Sequence, residues 1–446
     1  MSRIVVLGGG ESGVGSAVLA KVKGHDVFLS DMGKISDDYA AVLEKWEIPF
    51  EQGMHTEGLI LNADEVIKSP GIPSTAPMVT KIMEKGIGVI SEIEFAGRYD
   101  SAKKICITGS NGKTTTTSLI YFMLKNAGLN VGLAGNIGSS LAWQVAEKEF
   151  DDYYVLELSS FQLDGMYDFK ADIAILMNIT PDHLDRYEFK MQNYVNSKFR
   201  ITRNMKEEDC FIFCEDDPVT IGHLEKIVTR AKMLPFSQKN QQEKEGAYLK
   251  GDGMCVDVNG DVDFYYLKEL ALQGKHNVYN SMAAAIAAKA IKIDNKIIRE
   301  SLMTFTGVEH RMEKVLKIKN VLYINDSKAT NVDSAWYALD SMTTSVVWIA
   351  GGKDKGNDYA PLHQLVKDKV RVLICMGLDN EKLHRDFADK VDVIIDVQSA
   401  KDAVQKAYEY AQPGETVLLS PCCASFDLFK SYEDRGAQFK AAVREL

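Results

Sequence analysis

Thr108-Gly109-Ser110-Asn111-Gly112-Lys113-Thr114-Thr115 lies between an apolar run at residues 105–108 and a helical pattern that starts at Lys113. A glycine turn leading from a strand into a helix lets backbone N–H groups and the positive end of the helix dipole surround a polyphosphate. In that geometry Lys113 reaches the terminal phosphates and Thr114 is a Mg²⁺ ligand, with Gly109, Ser110, Asn111, Gly112 and Thr115 completing a predicted ATP site. The spacing is a shortened form of G-x-x-x-x-G-K-[ST], because Ile107 stands where the first glycine belongs. The competing reading, a glycine turn with a solvated lysine, leaves the order of strand, glycines, lysine and threonine unexplained.

On both sides of this turn, apolar runs alternate with helical patterns, the rhythm of parallel sheets covered by crossover helices. The predicted fold is α/β in three blocks. The first has strands at residues 4–7, 26–30 and 65–68 and ends in the polar stretch 97–104. The second has strands at 105–108, 153–158 and 173–178, a helix from Lys113 and an alanine-rich helix at 281–291, and it ends near 305–307. The third has strands at 321–325, 346–351, 370–376, 391–395 and 416–420, a small doubly wound sheet. Residues 238–246 are polar and read as a surface excursion.

The chain has 446 residues, room for about three domains. Its 52 basic residues against 63 acidic ones give a net charge of −11, so no nucleic acid or anionic membrane is held by the overall field. Any anionic ligand must be bound locally. Apolar residues make up 46% and charged residues 26%, the balance of a soluble globular protein. The most apolar helical stretch is broken by Lys289, too soon to span a bilayer. No export signal is visible, and seven scattered cysteines without paired metal spacing suit a reducing cytoplasm. Cys422 and Cys423 read as packing residues.

Gly8-x-Gly10-x-x-Gly13 follows the first strand, and Asp31 ends the second about 20 residues on. Taken alone, this fingerprint predicts a nicotinamide-dependent oxidoreductase. The same turn also admits the pyrophosphate of a UDP-sugar, or simply packs a helix on a strand. Further on, Glu157 ends an apolar strand in Leu156-Glu157-Leu158-Ser159-Ser160-Phe161-Gln162, and Asn178-Ile179-Thr180-Pro181-Asp182-His183-Leu184-Asp185-Arg186 follows the next. Carboxylate and imidazole at the carboxyl edge of a parallel sheet are placed for a metal or a ligand. Lys198 falls in a helix predicted over 194–201, where composition alone makes it a solvated residue.

These motifs, with His310-Arg311, Asn325-Asp326-Ser327-Lys328-Ala329-Thr330-Asn331, Ala134-Gly135-Asn136-Ile137-Gly138 and Ser420-Pro421-Cys422-Cys423-Ala424-Ser425-Phe426-Asp427, resemble the ATP-dependent Mur ligases along the full length. The likeness is strongest to the branch that adds D-glutamate. It implies a Rossmann-like UDP-binding domain over 1–100, a central ATP-binding domain over 101–306 and a C-terminal amino-acid-binding domain over 307–446. It also implies a reaction of peptidoglycan precursor synthesis: ATP phosphorylates the carboxylate of UDP-N-acetylmuramoyl-L-alanine, and the amine of D-glutamate attacks the acyl phosphate.

Residue by residue, the resemblance makes Lys113, Glu157, His183 and Lys198 catalytic. It places one Mg²⁺ near Thr114 and Glu157 and a second near His183 and Lys198, with Lys198 carbamylated, which requires a neutral amine and so a depressed pKa. Asn277, Arg311, Asp326 and Lys328 match ATP contacts. Ser12, Ser69, Gly71, Asn136, Ser159, Gln162 and His183 match contacts to the nucleotide-sugar. Thr330, Lys355, Ser425 and Tyr432 match contacts to D-glutamate, although Gly351-Gly352-Lys353-Asp354-Lys355-Gly356 leaves Lys353 as an alternative to Lys355. Tyr432 stands where relatives often have Phe, and the uracil contacts around Asp31-Met32 stay open. A cytoplasmic monomer with no nucleic-acid partner and no membrane span is expected. The rivals are another Mur ligase, a folylpolyglutamate synthase, the oxidoreductase and a nucleotide-binding module without chemistry. The synthase would lack the first block, and the oxidoreductase leaves the loop at 108–115 and the third block unexplained.

Overall fold

The computed structural model describes residues 2–147, 152–239, 244–354 and 356–446. The chain forms two compact units, Met1–Phe305 and Thr306–Leu446. In the first unit, β1 (Arg3–Leu7), β2 (Asp26–Asp31), β3 (Phe50–Gln52), β4 (Glu65–Lys68) and β5 (Gly88–Ile90) make a parallel sheet in the order β3-β2-β1-β4-β5. The alternation of β1 explains its central place: Ile4 and Val6 enter one core while Val5 and Leu7 enter another, so both faces are covered.

The same unit holds a nine-stranded sheet of β6 (Lys103–Thr108), β7 (Val131–Gly135), β8 (Tyr153–Glu157), β9 (Ile173–Leu176), β10 (Cys210–Cys214), β11 (Lys232–Ser237), β12 (Gly246–Lys250), β13 (Gly253–Val258) and β14 (Asp261–Tyr266). Its order is β14-β13-β12-β11-β10-β9-β6-β8-β7. The two sheets share one core, because the helix Glu11–Val22 packs on the helix Leu141–Glu147. Gly15 permits the contact, since a methyl group there would lie 2.4 Å from Ser140 Oγ. Glu11 and Glu92 lock the junction by accepting hydrogen bonds from the Ser140 and Ala142 N–H groups at 2.9 and 2.6 Å.

The second unit carries β15 (Glu313–Ile318), β16 (Val321–Asn325), β17 (Val346–Gly351), β18 (Val370–Met376), β19 (Val393–Val397) and β20 (Thr416–Cys422), in the order β15-β16-β20-β17-β18-β19. Cores lie on both faces, as a doubly wound sheet requires.

Several elements depart from the sequence expectations. The central sheet is mixed, because β12, β13 and β14 form an antiparallel meander, and β15 also pairs antiparallel. The polar excursion expected over 238–246 includes residues outside those described, and its last residue, Gly246, begins β12. β9 stops at Leu176, which frees Asn178 for the loop, and the alanine-rich helix begins early, at Lys275, so that it carries Asn277 and Asn280. The helix expected over 194–201 is Met191–Phe199, followed by a 3₁₀ turn. All seven cysteines are free, with Cys422 and Cys423 in the core. Among the described residues, no helix is long and apolar enough to cross a membrane.

Candidate active site

In the first unit, β6 lies between β8 and β9, so the carboxyl ends of three neighbouring strands deliver Thr108-Gly109, Glu157-Leu158 and Met177-Asn178 side by side. Gly109, at φ +148°, sits where a methyl group would come 2.9 Å from Met177 Cβ. Gly112, at φ +85°, caps the helix Lys113–Asn126 and faces Asn280 Oδ1. Neither position accepts a side chain without strain.

The loop is braced from β9. Ser110 N–H donates to Asn178 O and Asn111 N–H to Asn178 Oδ1, both at 2.9 Å, while Asn178 Nδ2 returns a bond to Asn111 O at 3.1 Å. Ser110 Oγ donates to Thr180 O at 2.8 Å. Two amides that the sequence offered to phosphate therefore hold the loop in shape. The bond from Thr116 N–H to Gly112 O opens the helix, so the amides of Thr114 and Thr115 precede its first hydrogen bond. Lys113 Nζ donates to Gly109 O at 2.7 Å and Ser110 O at 3.0 Å.

Lys198 is not the solvated residue that its composition suggested. It is 2% exposed, and its Nζ donates to Gly109 O at 2.8 Å, the carbonyl that Lys113 also uses. Burial first, and then the Lys113 charge, hold its pKa well below that of an ordinary lysine, against the opposing carboxylates of Asp182, Glu157 and Asp164. The shift is in the direction that carbamylation would require.

Glu157 is 1% exposed. Its Oε1 accepts from Asn136 Nδ2 at 2.9 Å, and its buried Oε2 has no hydrogen-bond partner among the described residues. An orphaned buried acceptor costs about 1–3 kcal/mol, more when charged. A carboxylate oxygen left open in this way, with the Thr114 hydroxyl on the adjoining helix, is a hard donor set that fits Mg²⁺.

His183 sits on the loop after β9 in a left-handed conformation, φ 53°. Its ring stands edge-on to Phe161, centroids 5.2 Å apart, and its Nε2 is 3.6 Å from Asp182 Oδ2. Three residues on, the Arg186 guanidinium lies 4.4 Å over Phe161 and donates to Pro70 O, Gly71 O and Ile72 O at 3.3–3.4 Å. The loop that carries His183 is thus fastened to the turn that carries Ser69 and Gly71. Ser69 Oγ is buried without a hydrogen-bond partner among the described residues. Ser159 and Gln162 are joined in a capping box on the helix Ser160–Asp164, so their side chains already have a structural role.

At the first glycine turn, a methyl group at Gly13 would lie 1.8 Å from Gly8 O, so helix and strand approach as the fingerprint demands. Ser12 is the second residue of that helix, and its carbonyl accepts from Ser16 Oγ at 2.7 Å. Asp31, however, is occupied. Its Oδ2 accepts from Gly9 N–H at 2.5 Å and its Oδ1 from Gly33 N–H at 2.6 Å. The carboxylate that the fingerprint offers to a ribose also braces the turn.

In the second unit, Asp326 to Thr330 follow β16, and Cys423 to Ser425 follow its parallel neighbour β20. Asp326 is 1% exposed, with Ser420 Oγ 2.9 Å from Oδ2 and Met312 N–H 3.1 Å from Oδ1. Burial pushes its pKa up to about 6, against the pull of Arg311. The Nε of Arg311 is buried without a hydrogen-bond partner among the described residues. Lys328 Nζ donates to Tyr432 OH at 3.0 Å and lies 4.8 Å over its ring. Ser425 is buried, and its carbonyl accepts from Phe429 N–H at 2.9 Å. Thr330 precedes the Asn331 cap of the helix Val332–Asp340. Lys353 N–H donates to Ala424 O at 2.8 Å, whereas Lys355 lies outside the described residues. Asn277, in the first unit, donates to Gln273 O at 2.8 Å and accepts from Asn280 Nδ2 at 3.1 Å.

Three family models match this chain: a MurD N-terminal domain over 3–78, the Mur ligase middle domain over 107–288 and the Mur ligase glutamate ligase domain over 310–423. The chain belongs to the Mur ligase family. A Bacteroides fragilis relative named UDP-N-acetylmuramoylalanine--D-glutamate ligase is 60% identical, with all of both chains covered. Relatives of the same name from Bacteroides thetaiotaomicron and Christiangramia forsetii are 59% and 56% identical, covering all of this chain and 100% and 99% of their own. Among solved Mur ligases, Thermotoga maritima MurC superposes with a TM-score of 0.63 at 19% identity over the whole of both chains. MurF of the same organism gives 0.60 at 14% identity, over 96% of this chain and 99% of its own. The three-domain α/β architecture of the Mur ligases is thus this chain's fold.

Sequence reasoning passed over three residues that brace the loops described above within each unit. Tyr194 OH lies 3.1 Å from Ser110 Oγ, and Asn280 reaches both Gly112 and Thr116. In the second unit the buried Arg435 donates to Ser327 Oγ and O at 2.9 and 2.8 Å, to Cys423 O at 3.3 Å and to Gly351 O at 3.5 Å. Only the glycine after it, Gly436, which lets the helix Tyr432–Arg444 close on His310, hinted at a buried face there.

Proposed function

We propose that the chain joins D-glutamate by an amide bond to the free carboxylate of UDP-N-acetylmuramoyl-L-alanine, converting ATP to ADP and phosphate, in cytoplasmic peptidoglycan precursor synthesis. The observation that carries the chemistry is the convergence of Lys113 and Lys198 on one carbonyl, beside a buried Glu157 oxygen left open. Full-length identity to relatives of that name supports the choice of substrates.

A carboxylate oxygen of the nucleotide-sugar attacks the γ-phosphorus, and the bond to the ADP oxygen breaks. The amine of D-glutamate then attacks the acyl carbon and loses a proton as the bond to phosphate breaks. Both reactants are anions, so the chain must neutralise charge while aligning them. Lys113 and the first-turn amides bind the phosphates. Thr114 and Glu157 would hold one Mg²⁺, and His183 with a carbamylated Lys198 a second; when bound, these ions supply charge neutralisation. Asn277 serves the adenine, Asp326 the ribose, and Arg311 and Lys328 the phosphates. Ser12, Ser69, Gly71, Asn136, Ser159, Gln162 and His183 line the nucleotide-sugar path. Thr330, Ser425, Tyr432 and one of Lys353 and Lys355 hold the carboxylates of D-glutamate. Residues 1–100, 101–306 and 307–446 divide the work between UDP, ATP and amino acid, in a monomer.

Phosphate release from ATP tests this directly. It should require both UDP-N-acetylmuramoyl-L-alanine and D-glutamate, and equal rates with L-glutamate would refute the substrate assignment.

A further inference from the structure

At the edge of the second unit's sheet, Cys375 on β18 and Asp396 on β19 are register partners. Partners on neighbouring parallel strands project to the same face about 4.8 Å apart. The helix Glu381–Phe387 crosses that face and supplies His384, whose Nε2 lies 3.0 Å from both Asp396 oxygens. The thiol, an imidazole nitrogen and a carboxylate oxygen all lie within 4.8 Å of one another. Asn380 Nδ2 donates to Asp396 Oδ1 at 2.9 Å, orienting the carboxylate from behind, as supporting residues do around metal ligands. The open cleft that His384 and Asp396 border is also lined by Asp379, Glu381, Asp402 and Glu409, against one lysine, Lys406, among the described residues. A divalent cation entering it meets a favourable field.

We infer that Cys375, His384 and Asp396 form a binding site for a borderline transition-metal ion of the Zn²⁺ class. Sulfur, nitrogen and oxygen donors from three elements suit that class and discriminate against Mg²⁺, which prefers an all-oxygen octahedron. A tetrahedral Zn²⁺ site needs its donor atoms roughly 3.5 Å apart. His384 and Asp396 are partly exposed and can close on the ion, while Cys375 is fixed by the core. The fourth position faces the cleft. Metal binding releases the thiol proton, and the metal must outweigh a burial that favours the protonated thiol. The comparable group Glu309, His310 and Glu313 lacks a thiol, and both of its carboxylates are already paired with Lys440.

The test is a Co²⁺ titration of the chelator-treated full chain in excess Mg²⁺, so that oxygen-rich sites stay filled. One equivalent should produce a sulfur-to-cobalt charge-transfer band in the near ultraviolet, bleached by Zn²⁺. Cys375→Ser should lose the band and keep ligase turnover. Should that variant fail to fold, His384→Gln decides: it alters a partly exposed residue and, by removing a ligand, should weaken Co²⁺ binding by more than the roughly 10- to 100-fold that loss of a supporting residue costs. No thiolate band in the parent chain, a band that survives in Cys375→Ser, or unchanged affinity in His384→Gln would each overturn the assignment.

Discussion

The first unit contains two glycine turns of nearly the same design, and they end up with opposite electrostatics. Residues 8–13 and 109–112 each leave a strand inside a sheet and enter a helix that packs closely behind. At the first turn the nearby acid braces backbone, since one Asp31 oxygen accepts the Gly9 N–H of the turn and the other the Gly33 N–H of its own loop. At the second, the neighbouring strand ends bring in Glu157 with one oxygen unpaired and Lys198 with its charge disfavoured by burial. A glycine turn therefore marks where an anion can approach. The residues at the adjacent strand ends decide whether chemistry follows.

Substitutions at the two turns should separate these roles. Lys113→Ala should lower ligase turnover by about 10³-fold or more, measured as phosphate release, because the γ-phosphate loses its cation; a tenfold loss would reduce the loop to a binding device. Lys198→Ala should cost about as much but recover in part with added formate or acetate, which can supply the missing oxygen ligand. In labelled bicarbonate, a carbamate ¹³C resonance should appear in the parent chain and vanish in this variant. At the first turn, Asp31→Ala should instead show as instability, about 1–3 kcal/mol in urea denaturation. The parent chain should also leave nicotinamide cofactors unbound in a fluorescence titration.

The smallest effect concerns pH and has the opposite sign. Folding lowers the Lys198 pKa, so between its folded value and 10.5 the unfolded chain binds more protons, and the parent chain gains stability as pH rises through that window. In CO₂-free buffer, Lys198→Met should be the more stable protein at pH 7, with its advantage shrinking towards pH 10.5. Equal stability at both pH values would mean that the buried amine carries no cost.

The loop at 108–115 was legible because its turn tolerates little but glycine at two positions and its chemistry needs lysine and threonine next in order. Glu157 was legible as a strand-end residue and His183 as part of the loop that follows the next strand. The burial of Lys198 was not, because one lysine on a short helix looks the same whether it faces water or a loop carbonyl. Arg435 escaped for the same reason. The β12–β14 meander went unread because its sequence around 257–263 is acidic and broken by Asn259-Gly260, without the apolar run that marks a buried strand, and β11 supplies the partner for its first strand only in the folded chain. Asp31 shows the converse, since spacing places a carboxylate near a ribose without revealing which backbone groups its oxygens already accept.

Arg435 has a consequence in time as well as in space. The peptide carbonyls of Ser327, Gly351 and Cys423, which close three separate strand ends, all hang on one guanidinium. None of these corners can breathe alone, because releasing one strips hydrogen bonds from a buried cation. Backbone amides around them should exchange with deuterium on a single slow clock, that of the whole second unit coming apart.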